Sequence, residues 1–214
     1  MLRIWGRKNS INVQKVMWAV GELGLSQERI DAGGQFGGLN TDAFGKMNPN
    51  RRVPVIEDGG VVIWESHAIL RYLAAKYGGG SLWPVDAAAR SQCDMWMDWT
   101  LADLQSAFIG LFWSFWRTPE PQRNLRLIQQ QLARSNVLFQ ILEKHFDGRK
   151  FITGDQLTMG DIPAGAQLYR YFNLSIERPA LPNVQAWYAR LRERDSYRTN
   201  VMISFEDLKG RSGF

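Results

Sequence analysis

The segment Asn48–Tyr77, NPNRRVPVIEDGGVVIWESHAILRYLAAKY, constrains what this chain can fold into more than any other. Val53-Pro54-Val55-Ile56 and Val61-Val62-Ile63-Trp64 are short β-branched and apolar runs, and the Glu57-Asp58-Gly59-Gly60 link between them is hairpin chemistry. Two antiparallel strands are predicted. After Trp64 the period becomes helical: Ile69, Leu70, Leu73 and Tyr77 share a face, with Arg71 and Lys76 off it, so a helix opens at Glu65-Ser66. Pro54 begins the first strand, where its missing N–H costs least, and it drives Val53 towards extended backbone. The sequence does not fix the isomer of the Val53-Pro54 bond, trans being the commoner form.

The start of that helix has two readings. Ser66 is a good cap for its own helix. Equally, a helix N-terminus gathers N–H donors and the positive end of the dipole, which suits a carboxylate, while Glu65 beside it suits an ammonium. Together they match a zwitterionic amino-acid head group.

At 214 residues, 45% of them hydrophobic, the chain has room for one large or two small domains with a real core. No apolar run reaches the roughly eighteen residues of a membrane span, and Met1-Leu2-Arg3 leads straight into a strand pattern, so a cytoplasmic protein without a membrane partner is expected. A single cysteine, Cys93, excludes an internal disulfide and a protein dithiol chemistry. With only His67 and His145, no cluster at ligand spacing supports a metal site. The formal net charge of +5 favours anionic partners, but the basic residues are scattered: Arg123 and Arg126, and Arg190, Arg192, Arg194 and Arg198, read as solvated helix faces. A nucleic-acid partner is therefore not expected.

Along the chain, Leu2–Trp5 is a strand and Val13, Val16, Met17, Val20 and Leu23 mark a helix ended by Gly24. Leu25–Ala32 is a weaker strand. The glycine-rich stretch Gly33–Gly38 matches neither phosphate-binding pattern and reads as a link, and Thr41–Met47 as a short helix. A right-handed crossover makes the first two strands parallel, and the hairpin adds antiparallel partners. The expected class is α/β followed by all-α, a mixed four-stranded sheet with helices over residues 1–78, then a turn-rich linker over 79–85 and a helical domain over 86–214. In the latter, helices are predicted from Asp86 to about Arg117, over Arg123–Phe146, from a Thr158-Met159-Gly160-Asp161 capping box to about Tyr171, and from Pro182 to about Arg194.

The Val-Pro hairpin, Trp64-Glu65-Ser66-His67-Ala68-Ile69-Leu70, and Asn9-Ser10-Ile11-Asn12-Val13-Gln14-Lys15-Val16 together resemble the cytosolic glutathione S-transferase family, in particular its theta-like, serine-type bacterial members. The strand and helix order of residues 1–77 is that family's thioredoxin-like order. The resemblance implies a homodimeric detoxification enzyme with glutathione as co-substrate and no metal, joining the tripeptide's thiolate to a hydrophobic electrophile. It further implies Ser10 as activator of the thiol, with Asn12 sharing or replacing that role. Val53 and Pro54, in cis, would meet the cysteinyl unit, and Glu65 and Ser66 the γ-glutamyl head group. Arg52, with Gln35 or Lys46, would face the glycyl carboxylate. The family usually carries a small residue where this chain has Arg51, which leaves Arg51 and Arg52 as alternatives.

Phe112, Trp113 and Trp116 fall where the family places part of its electrophile pocket. From the residues alone these rings fit a core equally well. So does Ser10 as a plain helix cap. A non-catalytic adaptor that keeps the fold to bind a protein partner is the alternative function; Ser10, Glu65 and Ser66 have no use in such a protein.

Overall fold

The computed structural model describes residues 1–212. By contact they form two compact units, Met1–Trp83 with Asp195–Ile203, and Pro84–Arg194 with residues 204–212.

In the first unit, β1 (Leu2–Trp5) is followed by α1 (Ile11–Glu22), β2 (Gln27–Ile30), α2 (Asp42–Met47), β3 (Val55–Asp58), β4 (Val61–Trp64) and α3 (Ser66–Tyr77). The sheet order is β2-β1-β3-β4, with β1 parallel to β2 and the other pairs antiparallel, as the crossover and hairpin arguments require. Gly59 and Gly60 both take positive φ, +59° and +86°, the pair of angles a two-residue hairpin turn of matching twist needs. Leu2, Ile4 and Ile56 on one sheet face bury against Val16 and Val20 of α1 and Ile69 and Leu73 of α3. Val55, with Trp5 and Trp64, meets Phe44 of α2 on the other. Each such fully buried aliphatic side chain contributes about 1.5 to 3 kcal/mol.

Two polar clusters tie the helices down. Buried Asp58 at the hairpin accepts from Tyr72 and Tyr77 hydroxyls at 2.9 and 2.7 Å and from Lys76 at 2.8 Å, fixing the far end of α3. Between α1 and α3, wholly buried Lys15 places Nζ 3.1 Å from His67 Nε2. The short helix α9 (Asp195–Asn200) groups with this unit because Trp18 and Tyr197 meet edge to face at 4.7 Å, and Glu22 accepts from both Trp18 and Ser196. A single cut at 79–85 does not describe that grouping. Gly213 and Phe214, the end of the expected second domain, lie outside the described residues.

In the second unit, α4 (Ala87–Trp99) runs on through a π-helical turn at Thr100–Leu104, α5 (Gln105–Leu111) and a second π-helical turn at Phe112–Arg117. The periodicity predicts one plain helix here; the structure widens it twice. At the second widening Thr118 N–H reaches back five residues to Trp113 O, and Ser114 Oγ binds Gly110 O and Leu111 O, competing with the ordinary ladder. The helices α6 (Leu125–His145), α7 (Asp161–Asn173) and α8 (Pro182–Arg192) follow. Phe139 stacks on Tyr171 at 3.7 Å, with Phe108 edge-on to both.

The expected capping box becomes a larger fixture. Fully buried Asp161 accepts from Ile152 N at 2.9 Å, Thr158 N at 2.9 Å, Thr158 Oγ1 at 3.3 Å and Trp187 Nε1 at 3.1 Å, joining the 151–158 loop, α7 and α8. Burial pushes its pKa up to about 6, against the pull of those four donors. Asp161→Ala leaves the donors unpaired in the core and should destabilise the protein by about 3 to 5 kcal/mol in urea unfolding, with Asp161→Asn losing less.

Lys15 carries a second expectation. Burial lowers its pKa from 10.5 to about 7, with the Glu65 charge opposing the shift. A base held below its unfolded value is protonated less in the folded state, so stability rises with pH between those two values. Relative to Lys15→Met, the parent chain should gain about 2 kcal/mol between about pH 7 and pH 9, measured by urea unfolding at each pH.

Candidate functional site

The sheet register brings the chemistry to one end of the first unit. Trp5, the last residue of β1, pairs with Val55, the first of β3, and Val55 pairs with Trp64, the last of β4. Parallel Ile30 of β2 ends beside Trp5. So the β1–α1 loop, the chain after β2, the Val53-Pro54 step and Glu65-Ser66 all leave the sheet at the same edge. Gly6 closes the gap further: a Cβ there would lie 2.4 Å from Val13 Cγ2 and 3.2 Å from Val53 Cβ, so the α1 start and the Val53 step approach too closely for a side chain.

Ser10 is the N-cap residue of α1 by backbone position, but its side chain caps nothing. The plain-cap reading is therefore not the one realised. Its half-buried hydroxyl faces a helix start whose first N–H groups are open. Asn12, in the first turn, has a buried Oδ1 without a hydrogen-bond partner. The Val53-Pro54 bond is cis, as the resemblance implies, and Val53 stands just outside the ladder that begins at Val55.

Glu65 takes φ +70°, a left-handed conformation that costs a non-glycine residue about 1 to 3 kcal/mol and marks positions held for function. Its exposed carboxylate makes no cap to α3. Ser66 beside it is buried, within the helix start. The next residue is His67, whose pKa is lowered by burial first, then by the Lys15 and Arg71 charges, so the ring is neutral.

The two arginines part ways. Arg51, at φ +51°, donates Nη1 to Leu39 O at 3.0 Å and Thr41 O at 2.9 Å, stapling the loop before α2. Arg52 is exposed, its backbone carbonyl held at 2.8 Å by buried Asn48. The alternative left open by the sequence thus favours Arg52 as the available guanidinium. Gln35, in a turn at Gly34–Phe36, and Lys46, in the last turn of α2, are both exposed.

The aromatic segment belongs to the second unit and divides. Phe112 is closed off by Phe205 at 5.6 Å and by the Arg170 guanidinium at 4.8 Å. Trp116 donates to Phe205 O at 3.2 Å and has Lys209 over its ring. Trp113 is half-buried, its ring covered on one side by Arg117 at 3.8 Å. Lys15 and its link to His67 escaped the sequence reading. The available signal was a lysine at the spacing Ile11, Lys15, Trp18 of a buried helical stripe, where a charge has no ordinary place.

Comparison with known proteins agrees with the fold. The family model for the glutathione S-transferase N-terminal domain matches residues 1–75, and that for the C-terminal domain matches residues 104–195. The chain is 40% identical over 206 residues to the glutathione S-transferase GstB of Escherichia coli K12, covering 95% of this chain and 99% of that protein. It is 31% identical over 157 residues to rat glutathione S-transferase theta-1, covering 71% and 65%. A theta-class glutathione S-transferase from Xanthomonas axonopodis pv. citri, solved with glutathione bound, superposes with a TM-score of 0.91 at 44% identity, covering 95% of this chain and 98% of that one. With its thioredoxin-like sheet, its helical second half and both family domains matched, the chain belongs to the glutathione S-transferase family.

Proposed function

We propose that this transferase holds glutathione at the edge of the first sheet and that the Ser10 hydroxyl stabilises its thiolate for attack on an apolar electrophile. The observation that carries the reading is the Ser10 side chain, set at the start of α1 and bonded to nothing in the helix it begins. In this reading the hydroxyl donates to the sulfur, and the open N–H groups of α1 add their positive potential. A free thiol has a pKa of about 8.5, and holding it two units lower takes about 2.7 kcal/mol. One charge-assisted hydrogen bond supplies about 1.5 to 3 kcal/mol of that. Asn12, with its unpaired Oδ1, sits two residues on in the first turn of the same helix and shares in holding that end.

The remaining assignments follow the arrangement of donors and charges. Val53 offers backbone groups to the cysteinyl unit beside cis Pro54. Glu65 takes the ammonium and Ser66 with the α3 start takes the α-carboxylate of the γ-glutamyl end. Arg52, Lys46 and Gln35 supply exposed donors for the glycyl carboxylate. Residues 1–78 act as the tripeptide-binding domain, and residues 86–214 contribute the apolar side, with half-buried Trp113 as its contact ring and Phe112 and Trp116 as its frame. Substitution, addition to an activated double bond, peroxide reduction and dehalogenation all use this apparatus, in which the protein provides orientation and a stabilised nucleophile. We place the enzyme in the cytoplasm as a homodimer with a detoxifying role. Among the described residues no helix is long and apolar enough to cross a membrane.

The test is a pH titration of glutathione thiolate absorbance with protein in excess. The midpoint should fall well below that of free glutathione, and coincident curves where calorimetry also finds no binding would turn the reading towards the adaptor. Ser10→Ala should lower turnover by about tenfold to a hundredfold, the worth of one charge-assisted hydrogen bond, and change glutathione affinity little. Equal losses in both would remove Ser10 from the activating role.

A further inference from the structure

We propose that Arg51 is a positioning residue for the glycyl end of the bound tripeptide: its guanidinium staples the segment that carries Lys46 and leads to Arg52, setting it in its binding form before the ligand arrives. The inference rests on the reading of Lys46 and Arg52 given above and assigns a new residue to it.

Helix α2 cannot hold itself. An isolated helix shorter than about 12 residues is marginal in water, and α2 has 6, with Phe44 as its buried side chain. Such a segment opens easily unless other groups tie it down. The turn after it is tied by buried Asn48, whose Nδ2 donates to Arg52 O at 2.8 Å while its Oδ1 accepts from Asn50 N at 2.9 Å. Its start is tied by Arg51. Nη1 donates to Leu39 O at 3.0 Å and to Thr41 O at 2.9 Å, and the Thr41 hydroxyl caps α2 by accepting from Phe44 N. The side chain therefore closes a ring, since a residue from the turn that leaves α2 holds the carbonyls of the loop that enters it.

Two features mark this staple as a built contact. Arg51 sits at φ +51°, a left-handed backbone that glycine adopts freely and arginine does not. Gly45 in turn makes room for it. A Cβ there would stand 2.8 Å from Arg51 Nη2 and 3.0 Å from Cζ, so the guanidinium lies on the bare backbone of α2 one residue before Lys46. The side chain at 51 and the missing one at 45 are two halves of one contact.

Lys46 and Arg52 are both exposed, so packing does not fix their side chains. What the staple fixes is the backbone from which both project. Ordering that backbone on binding would cost affinity, and ordering it during folding removes the cost. The gain falls on ligands that engage the two cations, namely those with a carboxylate at the glycyl end.

The experiment is calorimetric binding of glutathione and of γ-glutamyl-cysteinyl-glycinamide, which keeps every group but the glycyl charge. Hydrogen exchange over residues 39–47 of the ligand-free protein and thermal unfolding run alongside. The parent chain should prefer glutathione by about tenfold or more, and Lys46→Met combined with Arg52→Met should abolish that preference. Arg51→Gly, which suits the backbone, should cut the preference about fivefold, leave affinity for the amide within about twofold, and speed exchange over 39–47 by about tenfold. Gly45→Ala displaces the guanidinium without removing its charge and should produce the same three changes. It also decides the matter should Arg51→Gly not fold.

Four results overturn the inference, and they are separable. If the parent has no preference, or the double variant keeps it, the glycyl reading of Lys46 and Arg52 itself fails. If the double variant loses the preference while Arg51→Gly and Gly45→Ala keep it, the two cations act without a staple. If Arg51→Gly loses it but Gly45→Ala keeps both preference and slow exchange, Arg51 meets the carboxylate directly. If both variants weaken both ligands equally and unfold earlier, Arg51 is structural.

Discussion

Everything proposed for this protein depends on the register of three strands. Trp5, Val55 and Trp64 stand side by side across β1, β3 and β4, so three connections that are far apart in sequence leave the sheet at one edge. A slip of one residue in β3 would turn Val55 and Ile56 to the opposite faces and carry the Val53-Pro54 step away from α1. The register is locked from both sides: Ile4 and Ile56 bury beneath α1 and α3, while Val55 buries with Phe44. Asp58, with its two tyrosines and a lysine, holds the hairpin end against α3.

The end so built is electropositive by backbone. Two helices, α1 and α3, begin there, and each brings unpaired N–H groups to the place where a tripeptide's thiolate and carboxylate would lie. The acidic Glu65 is the exception, and its strained backbone shows that the fold holds it there at a cost.

The second unit is stabilised differently. Its polar fixture is Asp161, whose carboxylate satisfies donors from a loop and from two helices at once, and its bulk is aromatic stacking around Tyr171 and Trp187. The aromatic run at 112–116 takes part in that core more than its sequence reveals. The π-helical turn there rotates successive rings to different surroundings, so Phe112 and Trp116 are enclosed while Trp113 remains half-buried.

The sequence alone determined what depends on neighbours in the chain. The change from period two to period 3.6 at Trp64, the Gly59-Gly60 turn, the caps and the order of strands and helices are local, and the sheet follows from them with the handedness of crossovers. The candidate residues Ser10, Val53, Pro54, Glu65 and Ser66 also stand out in the sequence, through the motifs they belong to. Tertiary structure decided what depends on residues far apart. It freed the Ser10 hydroxyl from capping, set the Val53-Pro54 bond cis, and committed Arg51 to the loop carbonyls of Leu39 and Thr41, leaving Arg52 available. It brought α9 back against Trp18 and buried Lys15 against His67, 52 positions away. Such facts are energies of burial and long-range pairing. They exist only once the chain has closed around them, and no local pattern carries them.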